Sequence, residues 1–257
     1  MSGTTDRSTT GTSTKVRGVS DAAVDKALRL LQESDGVDAD GYVHLQTVPY
    51  RSHHLLASCV LDVTEPGDRV LECGVSSGYF ASLLVRAGLR VDGHELDPEA
   101  GERARKVCER VYVGDLNTFD PDELDGTYDV LLFGDTLEHL PDPAAVLRRL
   151  RTHLDDAGAL ILSIPNVANW AIRLGLLAGR FDYTDRGIMD RTHLRFYTQR
   201  TLTLMLEDAG FRIERMIVTA PVPFVKSERV GRLATRVANL RPTLFGHGFL
   251  VTARPTS

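Results

Sequence analysis

The chain has 257 residues, 42% of them hydrophobic, enough to bury one sizeable α/β core. Its net charge of −5 and pI near 5.9 leave no basic field of the kind that drives nucleic-acid binding, so no polynucleotide partner is expected. Cys59, Cys73 and Cys108 make neither an even disulfide set nor a zinc spacing, which fits a reducing cytoplasm; no apolar run approaches the roughly 20 residues of a membrane span, so no integral membrane association is expected.

Residues 1–18 are rich in Ser, Thr and Gly without an apolar stretch, which predicts a disordered tail and not a signal peptide. Residues 19–257 read as one domain that opens with a helical cap over 19–66. Behind the candidate caps Ser20 and Asp21, the spacing of Ala23, Val24, Ala27, Leu28 and Leu31 predicts a helix to about Glu33; 52–63 predicts a second. After the break at Glu65 to Asp68, short apolar runs near 69–73, 90–95, 110–114, 128–133 and 158–164 alternate with amphipathic stretches near 77–87, 98–109, 143–154 and 198–209. That alternation predicts a parallel sheet covered by helices on both faces. Strands at 211–219 and 245–253 close the chain around a helical stretch, 230–240. Its Lys226, Arg229, Arg232, Arg236 and Arg241 suit a phosphate-bearing acceptor, a membrane surface, or a solvated face opposite Val230, Leu233, Val237 and Leu240.

The sharpest signal runs from Val70 to Phe80, a strand that enters a turn holding Gly74, Ser76 and Gly78 and leaves through Tyr79 and Phe80 into a helix. Glycine-rich turns of this kind serve dinucleotides, nucleotides and methyl donors alike. Glu72, at the strand tip, would repel a pyrophosphate but suits the sulfonium and ammonium of S-adenosylmethionine. Glu95, 21 residues beyond Gly74 and followed by Leu96, has the spacing of a ribose-hydroxyl acceptor. Asp115 ends the third strand, where it can accept from an adenine amino group. Acids at strand ends also serve as helix caps, but three in succession point to a ligand.

These segments, with Tyr128 to Leu140, resemble class I methyltransferases over about Val48 to Pro255, and the stretch Asp182 to Thr198 resembles one found in members associated with sugar and natural-product pathways. The resemblance implies a Rossmann-like, doubly wound α/β fold with a mainly parallel seven-stranded sheet and an antiparallel last strand. It also implies S-adenosylmethionine as the cofactor. Glu72 would neighbour the methionine moiety, Gly74 and Gly78 would shape the turn, Glu95 would hold the ribose, Asp115 and Leu116 would bracket adenine, and Gly134 and Asp135 would line the floor near the sulfonium. Ser76 departs from the family's middle glycine.

An insertion over 165–198 lies where it would cover the site as a lid. Its apolar first part, Val167 to Ala178, reads as core packing or an acceptor-facing wall. In its second part His193 is the candidate general base and Asp190 its orienting partner, against the competing account that Asp190, Arg191 and His193 form a network ordering the loop. Asp135, Glu138 and His139 have a metal-like spacing, but with no further ligand in view no metal is expected. The expected reaction is O-methylation of a small molecule, a sugar or natural-product hydroxyl; N- or carboxyl-methylation, a nicotinamide-dependent oxidoreductase and a non-catalytic binding module are the alternatives. A homodimer is expected on base rates alone.

Overall fold

The computed structural model describes residues 18–33, 50–220 and 227–256. The expected tail, part of the helical cap and Lys226 lie outside them. Within the cap, α1 (Asp21–Gln32) starts where Ser20 Oγ accepts from the Ala23 amide, and α2 (Ser52–Leu61) buries nearly all of its side chains. The strands and helices then alternate: β1 (Arg69–Cys73), α3 (Tyr79–Arg86), β2 (Arg90–Glu95), α4 (Pro98–Ala104), β3 (Arg110–Val113), β4 (Tyr128–Gly134), α5 (Pro143–Leu150) and β5 (Leu154–Pro165). After them come α6 (Trp170–Leu177), α7 (Gln199–Asp208), β6 (Phe211–Thr219), α8 (Glu228–Leu240), α9 (Pro242–Phe245) and β7 (Gly248–Pro255).

The seven strands form one sheet in the order β3-β2-β1-β4-β5-β7-β6. Five pair in parallel from β3 to β5, and β7 runs antiparallel to both β5 and β6. Side chains of successive strand residues point to opposite faces, so apolar runs supply two cores at once. Val70, Val130, Leu132 and Ile161 join α1, α2 and α3 on one face; Leu71, Leu131, Phe133 and Leu162 join α5 and α7 on the other. Each fully buried Leu or Phe there contributes about 1.5–3 kcal/mol. This is the doubly wound fold that the resemblance implied, antiparallel last strand included.

Two elements depart from expectation. Helix α6 has no buried residue: Trp170 is 50% exposed and Leu177 84%. It projects beyond the end of β5 and neither packs in the core nor lines the cavity described below. In helix α8 the basic side chains Arg229 and Arg236, and Arg241 just after it, are exposed as expected, but the apolar stripe is exposed too. The helix buries Thr235 and Ala238 while Val230, Leu233, Val237 and Leu240 face outward, because small side chains let the helix approach β6 more closely than the Leu and Val stripe would. Shorter departures are local: α4 ends at Ala104 and α5 at Leu150, the latter passing into a 3-10 turn before β5 begins early at Leu154.

Candidate active site

The carboxyl ends of β1 to β4 lie side by side, in register Cys73 to His94 and Cys73 to Phe133, so the turns that follow them share one edge of the sheet. Gly74, Ser76 and Gly78 all take positive φ, at 82°, 52° and 81°. A β-carbon on Gly74 would meet Thr136 Oγ1 at 2.7 Å, and Gly93 is equally tight against Val75, so the turn folds flat over the strand ends. Ser76, in place of the family's glycine, tolerates the left-handed region and donates its amide to Glu95 Oε2 at 2.7 Å. Glu95 Oε1 accepts from the amides of Leu96 and Asp97. Glu95 is thereby fixed at the end of β2 and, with four lone-pair sites, keeps capacity for a ligand hydroxyl. Asp115 is exposed and accepts from the Asn117 amide and side chain, while Leu116 is buried and Leu96 is exposed. Phe80 packs into the core below the turn and Tyr79 is partly buried above it.

Glu72 is the telling residue. It is 5% exposed, its Oε2 has no hydrogen-bond partner among the described residues, and burial, with the Glu95 charge adding, holds its carboxyl well above the usual range. A buried carboxyl group kept without a cationic partner beside a flat glycine turn fits a cationic guest. The residues therefore suit S-adenosylmethionine, for which Glu72 and Glu95 would be the acidic contacts.

At the end of β4, Asp135 takes φ 49° and is braced by Ser163, whose Oγ accepts from its amide and donates to its Oδ1, both at 2.9 Å. Desolvation raises the Asp135 carboxyl despite that hydrogen bond. Beyond it opens a cavity of about 520 Å³, lined by Arg51 and Ser52 at the start of α2, by Asp135, Glu138, His139 and Ser163, by Arg186, Asp190 and His193, and by Thr219 and His247. Residues 186–193 of the insertion thus form one wall of this cavity.

His193 has a 6% exposed side chain, and its Nδ1 lies 3.1 Å from the Ile188 carbonyl. Burial lowers its basicity, so it stands neutral at neutral pH with a lone pair on Nε2. Its Nε2 is 3.9 Å from Glu138 Oε1. The expected orienting role of Asp190 is not what the geometry provides. The Asp190 carboxylate accepts from the Thr192 amide and hydroxyl, an Asx turn, and only its backbone carbonyl reaches the His193 amide. Arg191 pairs instead with Asp185. The sequence reading did not single out Ser163, Thr219, His247 or Arg51. Ser163 and Thr219 stand at or near strand ends, as Glu72 does, and the same positional rule finds them.

The sequence profile of the family described as a methyltransferase domain matches residues 43–215. The ubiquinone biosynthesis O-methyltransferase of Xanthomonas campestris pv. campestris (strain B100) is 32% identical over 170 residues, covering 61% of this chain and 66% of that protein. The enzyme of the same name from Xanthomonas axonopodis pv. citri (strain 306) is 31% identical over 193 residues, covering 69% of this chain and 75% of its own length. Among solved structures, magnesium protoporphyrin IX methyltransferase from Synechocystis PCC 6803 with bound SAH superposes with a TM-score of 0.55 at 20% identity, over 92% of this chain and 95% of that one. With its sheet order, its acidic cradle and these matches, the chain belongs to the methyltransferase-domain family, the class I S-adenosylmethionine-dependent methyltransferases.

Proposed function

We propose that this chain methylates a hydroxyl oxygen of a small molecule, of the sugar or natural-product class, using S-adenosylmethionine. The observation that carries the reading is the cavity beyond Asp135, because it places a histidine–carboxylate cluster beside the floor where the sulfonium end of the donor would lie. Bound donor supplies a methyl group on a positively charged sulfur. The protein's work is then to hold the acceptor oxygen in line with that methyl and to manage its proton.

A hydroxyl must shed its proton as it attacks, and Nε2 of His193 faces the cavity beside Glu138, where the cluster can promote that loss. A cavity of about 520 Å³ holds a metabolite of one or two rings and not a polymer. The oxygen specificity named for the two Xanthomonas relatives supports oxygen as the accepting atom. The segment 165–198 acts as the lid of this cavity, through residues 186–193.

The test is turnover of a panel of hydroxylated and aminated small molecules with labelled donor, on the full chain and on His193→Gln. Oxygen acceptors lose most of their turnover in His193→Gln while SAH affinity holds. Turnover of amines alone, or oxygen methylation untouched by the substitution in a folded protein, removes the reading.

A further inference from the structure

Three donors converge on one wall of the acceptor cavity. A carboxylate oxygen of Glu138 and one ring nitrogen from each of His139 and His193 lie within 4.8 Å of one another. Glu138 sits in the 3-10 turn Leu137–His139 just after β4, with 1% of its side chain exposed, and neither carboxylate oxygen has a hydrogen-bond partner among the described residues. Buried carboxylates ordinarily find a guanidinium or several N–H donors, since each unmet buried group costs about 1–3 kcal/mol or more. His193 Nε2, at 3.9 Å, is beyond hydrogen-bond reach.

Both rings are held as ligands are held. His139 Nδ1 lies 3.2 Å from the Thr192 carbonyl and His193 Nδ1 3.1 Å from the Ile188 carbonyl. A carbonyl only accepts, so Nδ1 is the protonated nitrogen in the tautomer each contact selects, which leaves Nε2 as the ligating one. Anchoring the far nitrogen in this way sets the tautomer and orientation of metal-binding imidazoles. The two rings meet edge to face with centroids 4.8 Å apart. The loop bearing His193 is also clipped to the turn bearing Glu138: the amides of Leu194 and Arg195 both donate to the Glu138 carbonyl, at 2.8 and 3.0 Å. Residues 55 positions apart in the chain are thus locked into one cluster.

We infer that Glu138, His139 Nε2 and His193 Nε2 are the protein ligands of one divalent transition-metal ion, whose open positions face the acceptor. Two imidazoles and one carboxylate form the donor set of open zinc and ferrous sites, whereas magnesium and calcium take shells of oxygen. Bonds of about 2.1 Å place such donors about 3 Å apart, so side-chain rotations of roughly an ångström close the cluster on an ion. Asp135 is not among the donors that converge within 4.8 Å, and its Oδ1 accepts from Ser163. The absence of metal expected from sequence rested on Asp135, Glu138 and His139 alone, and His193 is the donor which that count lacked.

The chemistry rests on the reading of the cavity as the acceptor's. A cation beside the hydroxyl stabilises its deprotonated form, and the proton leaves to water at the cavity mouth. The oxygen then bonds to the methyl carbon as the carbon–sulfur bond breaks and its electron pair returns to sulfur. The ion is neither oxidised nor reduced, and His193 serves it as a ligand and not as the free base.

Titration of the full, chelator-free protein with Co2+ tests this, read by visible d–d absorption and competed with Zn2+. One equivalent binds, and Glu138→Gln and His139→Ala each weaken it about 100-fold or more, at least the loss seen when a supporting partner of a ligand is removed. His153→Ala, a histidine outside the cavity that also contacts a carbonyl, binds as the parent does, and SAH affinity is unchanged throughout. Absence of ion-dependent bands overturns the site, as does equal affinity in His139→Ala, an exposed position outside the core. A protein that binds the ion yet methylates as fast when metal-free overturns its part in the reaction. Ion binding as expected with no hydroxyl compound methylated strikes the proposed function and leaves the ion site standing.

Discussion

Gly74 shows how much of the cradle depends on a single missing carbon. Its φ of 82° is a cost for any L side chain, and a β-carbon there would displace the Thr136 hydroxyl from the Cys73 carbonyl it holds at 3.0 Å. Gly74→Ala is therefore expected to destabilise the protein by about 1–3 kcal/mol. Gly114, with nothing within 4 Å of its would-be β-carbon, should accept alanine with a melting temperature close to the parent's. Thermal melts of the two variants check this, and equal losses would show that close approach at Gly74 is not what matters. The acids Glu72, Glu95 and Asp115 were legible because each stands at or next to the end of a short strand-like segment, and a strand end is a local pattern. That the Glu95 carboxylate is gripped by the amide of Ser76, 19 residues away, was not, since no local pattern encodes a contact between two turns. The same holds for His193: its residue type suggested proton chemistry, but its neighbours Glu138 and His139 come from another strand end.

At the scale of elements, boundaries followed periodicity well, whereas the direction each apolar stripe faces did not. Periodicity reports that a stripe exists; which side meets the sheet depends on how closely the backbone can approach, and in α8 the small residues Thr235 and Ala238 win. Helix α6 carries the only tryptophan of the chain, 50% exposed. Its fluorescence should be quenched by iodide in the native state nearly as strongly as after unfolding; a protected signal would mean that α6 is covered. The cap and the far edge of the sheet are joined by Arg215 of β6 and Asp62 just after α2, 2.6 Å apart and both largely buried. Burial alone would raise the Asp62 carboxyl, but hydrogen bonds from Ser20 and the Arg215 charge outweigh it and hold it below its ordinary value of 3.8. A depressed folded-state value means stability that is present above 3.8 and lost as pH falls through the lower folded value. Asp62→Asn should accordingly be less stable than the parent in urea at neutral pH, with the gap closing below about pH 3.8. A gap independent of pH would assign the effect to packing.

Across the whole molecule, the strand order puts the turns that carry Glu72, Glu95 and Asp115 over β1 to β4 and the cavity beyond Asp135 toward β5, β7 and β6, with Asp135 and Ser163 at the boundary. The resemblance carried this topology; alternating runs alone indicate only a covered parallel sheet, because they do not state which strands are neighbours. A ligand that bridges the turns after four strands should brace the entire fold. At roughly 100 times its dissociation constant, SAH should add about 2.7 kcal/mol and raise the melting temperature by about 5–10 °C. A chain that melts unchanged in saturating SAH does not hold its ligand there. The unsatisfied Glu72 carboxyl adds a coupling between occupancy and protons. Held high while the cradle is empty, it ionises when a positive guest arrives, so filling the site expels hydrogen ions into the buffer and emptying it draws them back. The apparent heat of binding then varies with the ionisation enthalpy of the buffer, and acidification loosens the protein's hold on its donor well before the fold gives way.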